Sequence, residues 1–188
     1  MFDVDFGDTG LVVWLTGLPG SGKTALAIGM HTYCREEQIP SCIIDGDELR
    51  KGLCSDLGFS AEDRRENVRR AGEVAKLWAD QGYIAFVALV SPYEADRRSV
   101  RSRLAKDMFL EVHVNCPVEV CRRRDPKGMY ARADRGEIPQ FTGVSDPYEV
   151  PTTPDLRLDT HTENEDASLN KLRMAVFKKR SSPFRCLE

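Results

Sequence analysis

Leu11-Val12-Val13-Trp14-Leu15-Thr16-Gly17-Leu18-Pro19-Gly20-Ser21-Gly22-Lys23-Thr24 is the stretch whose reading decides the fold. Its first six residues form a short apolar run without polar alternation, which suits a strand buried on both faces of a parallel sheet. The next eight, Gly17 to Thr24, match G-x-x-x-x-G-K-[ST] in full. Glycines at these places permit backbone angles that aim successive N–H groups inward, making a concavity for anions. A helix pattern then runs from Lys23 to about Glu37, with Leu26, Ala27 and Met30 on one face, and its N-terminal dipole adds to the attraction. Lys23 is placed to reach the β- and γ-phosphates, and Thr24 to offer a hydroxyl to Mg²⁺. A strand before and a helix after make this string a nucleotide cradle and not a chance turn. It implies ATP or GTP and leaves the acceptor open.

Outward from this unit, buried strands and amphipathic helices alternate. Ser41-Cys42-Ile43-Ile44 reads as a second strand. Ser60 with Asp63 three residues on is a helix start, and Val68, Ala71, Ala75 and Trp78 recur at helical spacing until Gly82. Ile84 to Val90 reads as a third strand and Glu111 to Val114 as a fourth, with a basic helix over 93–106 between them. Leu156-Arg157-Leu158 reads as a fifth strand, and 167–178 as a closing helix. The segment 125–154 is rich in Pro, Gly and charge, has little periodicity, and predicts a long functional loop. This order predicts one α/β domain over 1–180, with a loose tail at 181–188. Its architecture is three-layer α/β/α with a five-stranded parallel sheet and right-handed crossovers.

A chain of 188 residues suits one such domain, and a formal net charge of −3 lacks the basic excess of a nucleic-acid binder. No run approaches the roughly 20 apolar residues of a membrane span. Met1-Phe2-Asp3-Val4-Asp5 is acidic and lacks the order of a signal peptide. A cytoplasmic protein without nucleic-acid or membrane partners is expected. Cys34, Cys42, Cys54, Cys116, Cys121 and Cys186 show no paired metal-ligand pattern and are expected to be reduced thiols.

Asp45-Gly46-Asp47 ends the second strand, placing two carboxylates at the sheet edge where open α/β folds bind ligands. Phosphoryl transfer needs an acceptor held in line, neutralised phosphates, and a carboxylate to take the hydroxyl proton. Asp45 and Asp47 can divide those tasks, with Thr24 and Asp47 the expected Mg²⁺ ligands. Arg50 is placed to receive an anionic group on the acceptor.

Several separated strings then point to one family. They are Asp45-Gly46-Asp47-x-x-Arg50; Leu57-Gly58-Phe59-Ser60-x-Glu62-Asp63-Arg64-x-Glu66-Asn67-x-Arg69-Arg70; Ser91-Pro92-Tyr93; Arg124-Asp125-Pro126-Lys127-Gly128-Met129-Tyr130; and Phe141-Thr142-Gly143 with Pro147-Tyr148-Glu149. In this order they resemble the signature of adenylyl-sulfate (APS) kinases, from about Leu11 to Leu158. The resemblance implies ATP-dependent, Mg²⁺-assisted phosphorylation of the 3′-hydroxyl of adenosine 5′-phosphosulfate (APS), in sulfate assimilation. It implies that Phe59 and Phe141 stack the acceptor adenine, and that Arg50, Arg64 and Asn67 hold the phosphosulfate and ribose. It also implies a lid at about 122–150, mobile over 122–143, whose Arg124 serves ATP and whose Lys127 and Arg132 reach the acceptor. Lys23, Asp45, Asp47 and Ser91 form the implied catalytic set. Ser91 is either a phosphorylated nucleophile or a polar contact in a direct transfer, and the second is expected, since no His adjoins it in sequence. A homodimer and an association with ATP sulfurylase stay open as partners. The chain departs from the family pattern at Pro19, Ala25, and Ala131 to Arg135. A related kinase acting on another acceptor, and a nucleotide-binding regulatory module without turnover, are the rival readings.

Overall fold

The computed structural model describes residues 10–138 and 140–180, so the tail expected at 181–188 lies outside the described residues. In chain order the elements are β1 (Leu11–Thr16), α1 (Lys23–Glu36), β2 (Ser41–Asp45), α2 (Gly46–Leu49), α3 (Ala61–Asp80), β3 (Ile84–Ala88) and α4 (Glu94–Arg101). After a 3₁₀ turn come β4 (Phe109–Asn115), α5 (Val118–Arg124), α6 (Met129–Asp134), β5 (Leu156–Asp159) and α7 (Glu165–Arg180). The five strands are all parallel, in the order β2-β3-β1-β4-β5.

β1 sits in the middle because every one of its residues is buried. Leu11, Val13 and Leu15 pack with Leu26, Met30, Leu172 and Val176 of α1 and α7. Val12 and Trp14 face the other way, against Val68, Ala71 and Ala75 of α3 and Val100 of α4. Each such large apolar side chain stabilises the fold by about 1.5–3 kcal/mol on burial. The non-alternating run at Leu11–Leu15 is thus the signature of two cores on one strand.

The chain leaves β1 past β3 to reach β2, returns to β3, and then crosses β1 to reach β4. Right-handed crossovers in opposite directions place their helices on opposite faces. The reversal beside β1 opens a crevice at the carboxyl ends of the strands, where ligands bind in this architecture. At α3, the Ser60 hydroxyl accepts a hydrogen bond from Asp63 N (3.1 Å) and donates to Asp63 Oδ2 (2.8 Å), the cap read from the sequence.

Three local expectations are corrected. The segment 125–154 is not a plain loop, because it contains α6. The Asp125 carboxylate accepts from Tyr130 N and Ala131 N, both at 3.1 Å, and so closes the first turn of that helix. Tyr130 then anchors it, edge-on to Phe141 at 5.0 Å in a small core with Cys116, Cys121 and Ile138. Six residues are too few for periodicity to reveal such a helix. The helix expected over 93–106 stops at Arg101, and Leu104 and Met108 beyond it turn inward onto the sheet core. β3 ends at Ala88, since Val90 carbonyl is taken by the Thr16 hydroxyl (2.7 Å) and Ser91 adopts φ 40°.

Candidate active site

The loop from β1 to α1 curls tightly, with Gly20 and Gly22 at φ 77° and 103°, values an L side chain rarely adopts. A Cβ added at Gly17 would lie 2.4 Å from the Val114 carbonyl oxygen. Lys23 is buried, and its ammonium donates to Gly17 O (2.9 Å) and Leu18 O (2.8 Å). It therefore closes over its own cradle, at the place where phosphate oxygens belong.

Burial pushes the Lys23 pKa down from 10.5 to about 8, while Asp45 and Asp47 pull the other way. Two consequences follow for pH. The folded value lies below the unfolded one, so between about pH 8 and 10.5 the unfolded chain holds the extra proton and ligand-free stability rises with pH. ATP needs the ammonium form, so above pH 8 its binding must take up a proton. Affinity is expected to fall by up to about tenfold per pH unit there. Calorimetry at pH 8.5–9, in buffers of different ionisation enthalpy, should show that uptake in the wild type and not in Lys23→Met. Equal, buffer-independent heats for both proteins would refute it.

Thr24 donates its hydroxyl to Asp45 Oδ2 at 2.7 Å, and Asp45 Oδ1 accepts from Asp47 N at 2.9 Å. Asp45 is thus the N-cap of α2, which is why β2 passes directly into a helical turn. Asp47 is exposed and ion-pairs with Lys127, which reaches over from the segment between α5 and α6. Of the two carboxylates, the one beside Thr24 is therefore Asp45, where the sequence reading paired Thr24 with Asp47.

A cavity of about 600 Å³ opens over this edge. Pro19, Gly20, Gly22, Lys23, Thr24 and Arg124 line it, and so do Phe59, Arg64, Phe141, Asp45, Asp47 and Lys127. Arg124 is fixed by donating to Thr160 O at 2.6 Å. Tyr130 donates its hydroxyl to Pro19 O at 3.0 Å, tying α6 to the cradle. Arg64 is the joint of the other half. Its Nε donates to Phe59 O (3.1 Å), its Nη2 donates to Gln140 O, and its side chain pairs with Asp146 at 3.6 Å. One buried guanidinium thus holds the two phenylalanine loops together across more than seventy residues of chain.

Some expected residues are placed elsewhere. Arg50 donates to Leu57 O (3.2 Å) and Gly58 O (2.9 Å), its guanidinium carbon 4.4 Å from the Phe59 ring centre, and does not itself line the cavity. Asn67, one turn beyond Arg64, is buried with its Nδ2 unpartnered, and is also outside the lining. Arg132 is exposed and pairs with Glu137 at 3.2 Å. Arg69 pairs with Glu66, and Arg70 with Glu66 and Asp56. Leu18 and Ser21 belong to the curl of the cradle and not to the lining. Among residues to which no role was given, Thr142, Thr160 and Glu163 line the cavity. For Thr160 and Glu163 the signal was available, because they follow the fifth strand at the same sheet edge.

Ser91 is nearly inaccessible, and its hydroxyl accepts from Trp14 Nε1 at 3.1 Å. A hydroxyl so engaged is a poor nucleophile, and Ser91→Ala is expected to keep turnover within about tenfold of wild type. A loss of several orders of magnitude with both substrates still binding would instead require a phosphoserine.

Against known proteins, a family model described as "Adenylylsulphate kinase" matches residues 9–159. The chain is 50% identical over 161 residues to a probable adenylyl-sulfate kinase of Halalkalibacterium halodurans, covering 86% of this chain and 80% of that protein. It is 49% identical over 162 residues to the adenylyl-sulfate kinase of Lactiplantibacillus plantarum, covering 86% and 78%. Among solved structures it resembles the Mycobacterium tuberculosis APS kinase in complex with AMPPNP and APS, with a TM-score of 0.85 and 42% identity, covering 90% of this chain and 99% of that one.

Proposed function

The chain belongs to the adenylyl-sulfate kinase family, and from that premise we propose how its own residues carry the reaction. ATP donates its γ-phosphoryl group to the 3′-hydroxyl of APS, giving 3′-phosphoadenylyl sulfate and ADP. The observation that supports this reading best is that a complete phosphate cradle and a pair of phenylalanines tied by Arg64 open into one cavity.

The residues at the cradle fit Mg²⁺. The Thr24 hydroxyl and the Asp45 carboxylate lie 2.7 Å apart, Asp47 is two residues on, and all are hard oxygen donors. Among the described residues no group of three or more His, Cys, Asp or Glu could hold a metal unaided, which suits an ion that keeps waters and phosphate oxygens in its shell. Thr24 and Asp45 would hold it, and when bound it would neutralise charge on the β- and γ-phosphates.

Lys23 exchanges its two loop carbonyls for phosphate oxygens, so the same ammonium that closes the free cradle completes the filled one. Asp45 is engaged by Thr24 and by the Asp47 amide, which leaves Asp47 to take the 3′-hydroxyl proton. Lys127, paired with Asp47 in the free protein, brings a positive charge to the point of transfer. Arg124 and the α6 segment cover the donor side and exclude water, the competing acceptor. Phe59 and Phe141 take the adenine of APS, and Arg64, in the same lining, faces its anionic group.

Phe59→Ala is expected to raise the KM for APS at least tenfold and leave that for ATP within twofold, since base stacking contributes about 1–3 kcal/mol. Equal losses for both substrates would sink the assignment. The function itself is tested by ADP release with APS, other nucleotides, nucleosides and sugars as acceptors. APS alone should support fast release. Comparable turnover with a sugar would favour the rival kinase reading.

A further inference from the structure

Four residues, Asp146 to Glu149, run between the two halves of the site and are held at both ends. At one end, the Asp146 carboxylate pairs with Arg64 (3.6 Å) and accepts from the Tyr93 hydroxyl (3.3 Å). At the other, Glu149 N donates to Pro92 O (2.8 Å), while Glu149 O accepts from Arg97 Nη2 (2.8 Å). Between these anchors, the Tyr148 hydroxyl lies 3.0 Å from Thr16 Oγ1, at the end of β1.

The direction of that bond follows from counting protons. Thr16 has one hydroxyl proton and gives it to Val90 O at 2.7 Å. At Thr16 Oγ1 the donor is therefore Tyr148. Burial pushes the Tyr148 pKa up to about 12, so the phenol keeps its proton at any working pH. The bonds run from Tyr148 to Thr16 to Val90. Both far ends belong to the site: Val90 lines the cavity, and Gly17, next after Thr16, gives its carbonyl to the Lys23 ammonium at 2.9 Å. The ring itself is placed by other contacts. It stacks on His113 with centroids 6.1 Å apart, and the Arg97 guanidinium carbon lies 5.9 Å from its centre. The hydroxyl is thus free to act as a tie, from the segment that braces Arg64 to the root of the phosphate cradle.

We propose that Tyr148 is a positioning residue for phosphoryl transfer, its hydroxyl acting through Thr16 to set the cradle against the acceptor half of the cavity. This rests on the APS kinase reading above. Transfer needs the γ-phosphoryl group and the acceptor hydroxyl in line, and a small displacement costs far more in rate than in binding. Each half keeps its own contacts when the tie is lost, so substrates still bind and only their mutual placement suffers.

The test uses Tyr148→Phe, Thr16→Val and the double variant. Tyr148→Phe removes one hydroxyl and keeps the ring, so its melting temperature should fall by no more than about 5 °C. Its single-turnover rate at saturating substrates should drop about tenfold, with the KM for ATP and for APS within twofold of wild type. Adding Tyr148→Phe to Thr16→Val should lower the rate less than twofold further, because the bond is already gone. Val176→Ala, in the core under α7, serves as a control for lost stability. It should melt at least as early as Tyr148→Phe and keep its rate within twofold.

A Tyr148→Phe rate within twofold of wild type overturns the inference and leaves the function standing. So does a raised KM with an unchanged rate, which would make Tyr148 a binding residue. Losses that multiply in the double variant rule out the route through Thr16. A tenfold slower Val176→Ala would reduce the effect to general destabilisation. Should Thr16→Val not fold, the rate and KM values of Tyr148→Phe decide alone. A wild type without APS turnover overturns both this inference and the reading beneath it.

Discussion

Lys23→Met is expected to lower kcat by at least about a thousandfold while leaving the fold intact. The ammonium is the only side-chain cation within the glycine-rich loop itself, and a preorganised charge at the transferred phosphoryl group acts where charge is redistributed in the transition state. Its loss should fall on kcat and on kcat/KM together, with a smaller effect on nucleotide binding, since the backbone amides of the cradle remain. The same change should not harm stability. Burial holds the Lys23 pKa down to about 8, which means the fold opposes the charge it carries at neutral pH. Met keeps the apolar stem and removes the charge, so the melting temperature should stay level or rise at pH 7. Steady-state kinetics and thermal unfolding on the same preparation check both halves. A variant with near-normal kcat would remove Lys23 from the chemistry, and a strongly destabilised one would leave it a structural residue.

Arg97→Met is expected to have the largest effect on stability, about 3–5 kcal/mol. Arg97 is 1% exposed and bridges three segments: Nη1 donates to Ser91 O (2.7 Å), Nη2 to Glu149 O (2.8 Å) and Nε to Glu111 Oε1 (3.0 Å). Methionine fills much of the space and leaves two carbonyls and a largely buried carboxylate without their donor. Such a loss is a large share of the roughly 5–15 kcal/mol that holds a domain together. Arg97→Lys should recover only part of it, because one ammonium cannot reproduce the planar fork. Urea unfolding measures the difference. A loss below about 1 kcal/mol would show that the three segments hold each other without the guanidinium. The link to function is positional: Arg97 fixes the chain at Ser91 and at Glu149, next to Tyr148, whose hydroxyl shares a 3.0 Å hydrogen bond with Thr16 at the end of β1.

How much of this was legible beforehand depended on whether the information was local. The Leu11–Thr24 stretch carried its strand, its turn and its helix in consecutive residues, and it fixed the centre of the sheet. Ser60 and Asp63 are three apart, so the cap of α3 could be read directly. The partition of the carboxylates could not. Whether Thr24 faces Asp45 or Asp47 depends on the path from β2 into α2, and the Asp47–Lys127 pair joins residues eighty positions apart. Arg64 was read as a cation for the acceptor, but its role as the tie between the Phe59 and Phe141 loops is a tertiary fact. The same holds for Ser91: its place at the end of the third strand was plain, whereas the indole that holds its hydroxyl lies 77 residues earlier. The α6 helix was missed because its stability comes from Asp125 and Tyr130, not from a repeating apolar face.

We propose that the phosphoryl group passes directly from ATP to the 3′-hydroxyl of APS in this cavity. It is tested most directly by incubating the purified protein and Mg²⁺ with APS and ATP labelled at the γ-phosphate, and stopping the reaction within a single turnover. The label should appear on the APS-derived product, be released by a 3′-nucleotidase, and never appear on the protein ahead of product. Label that appears on the protein ahead of product, or that never passes to APS, would contradict direct transfer.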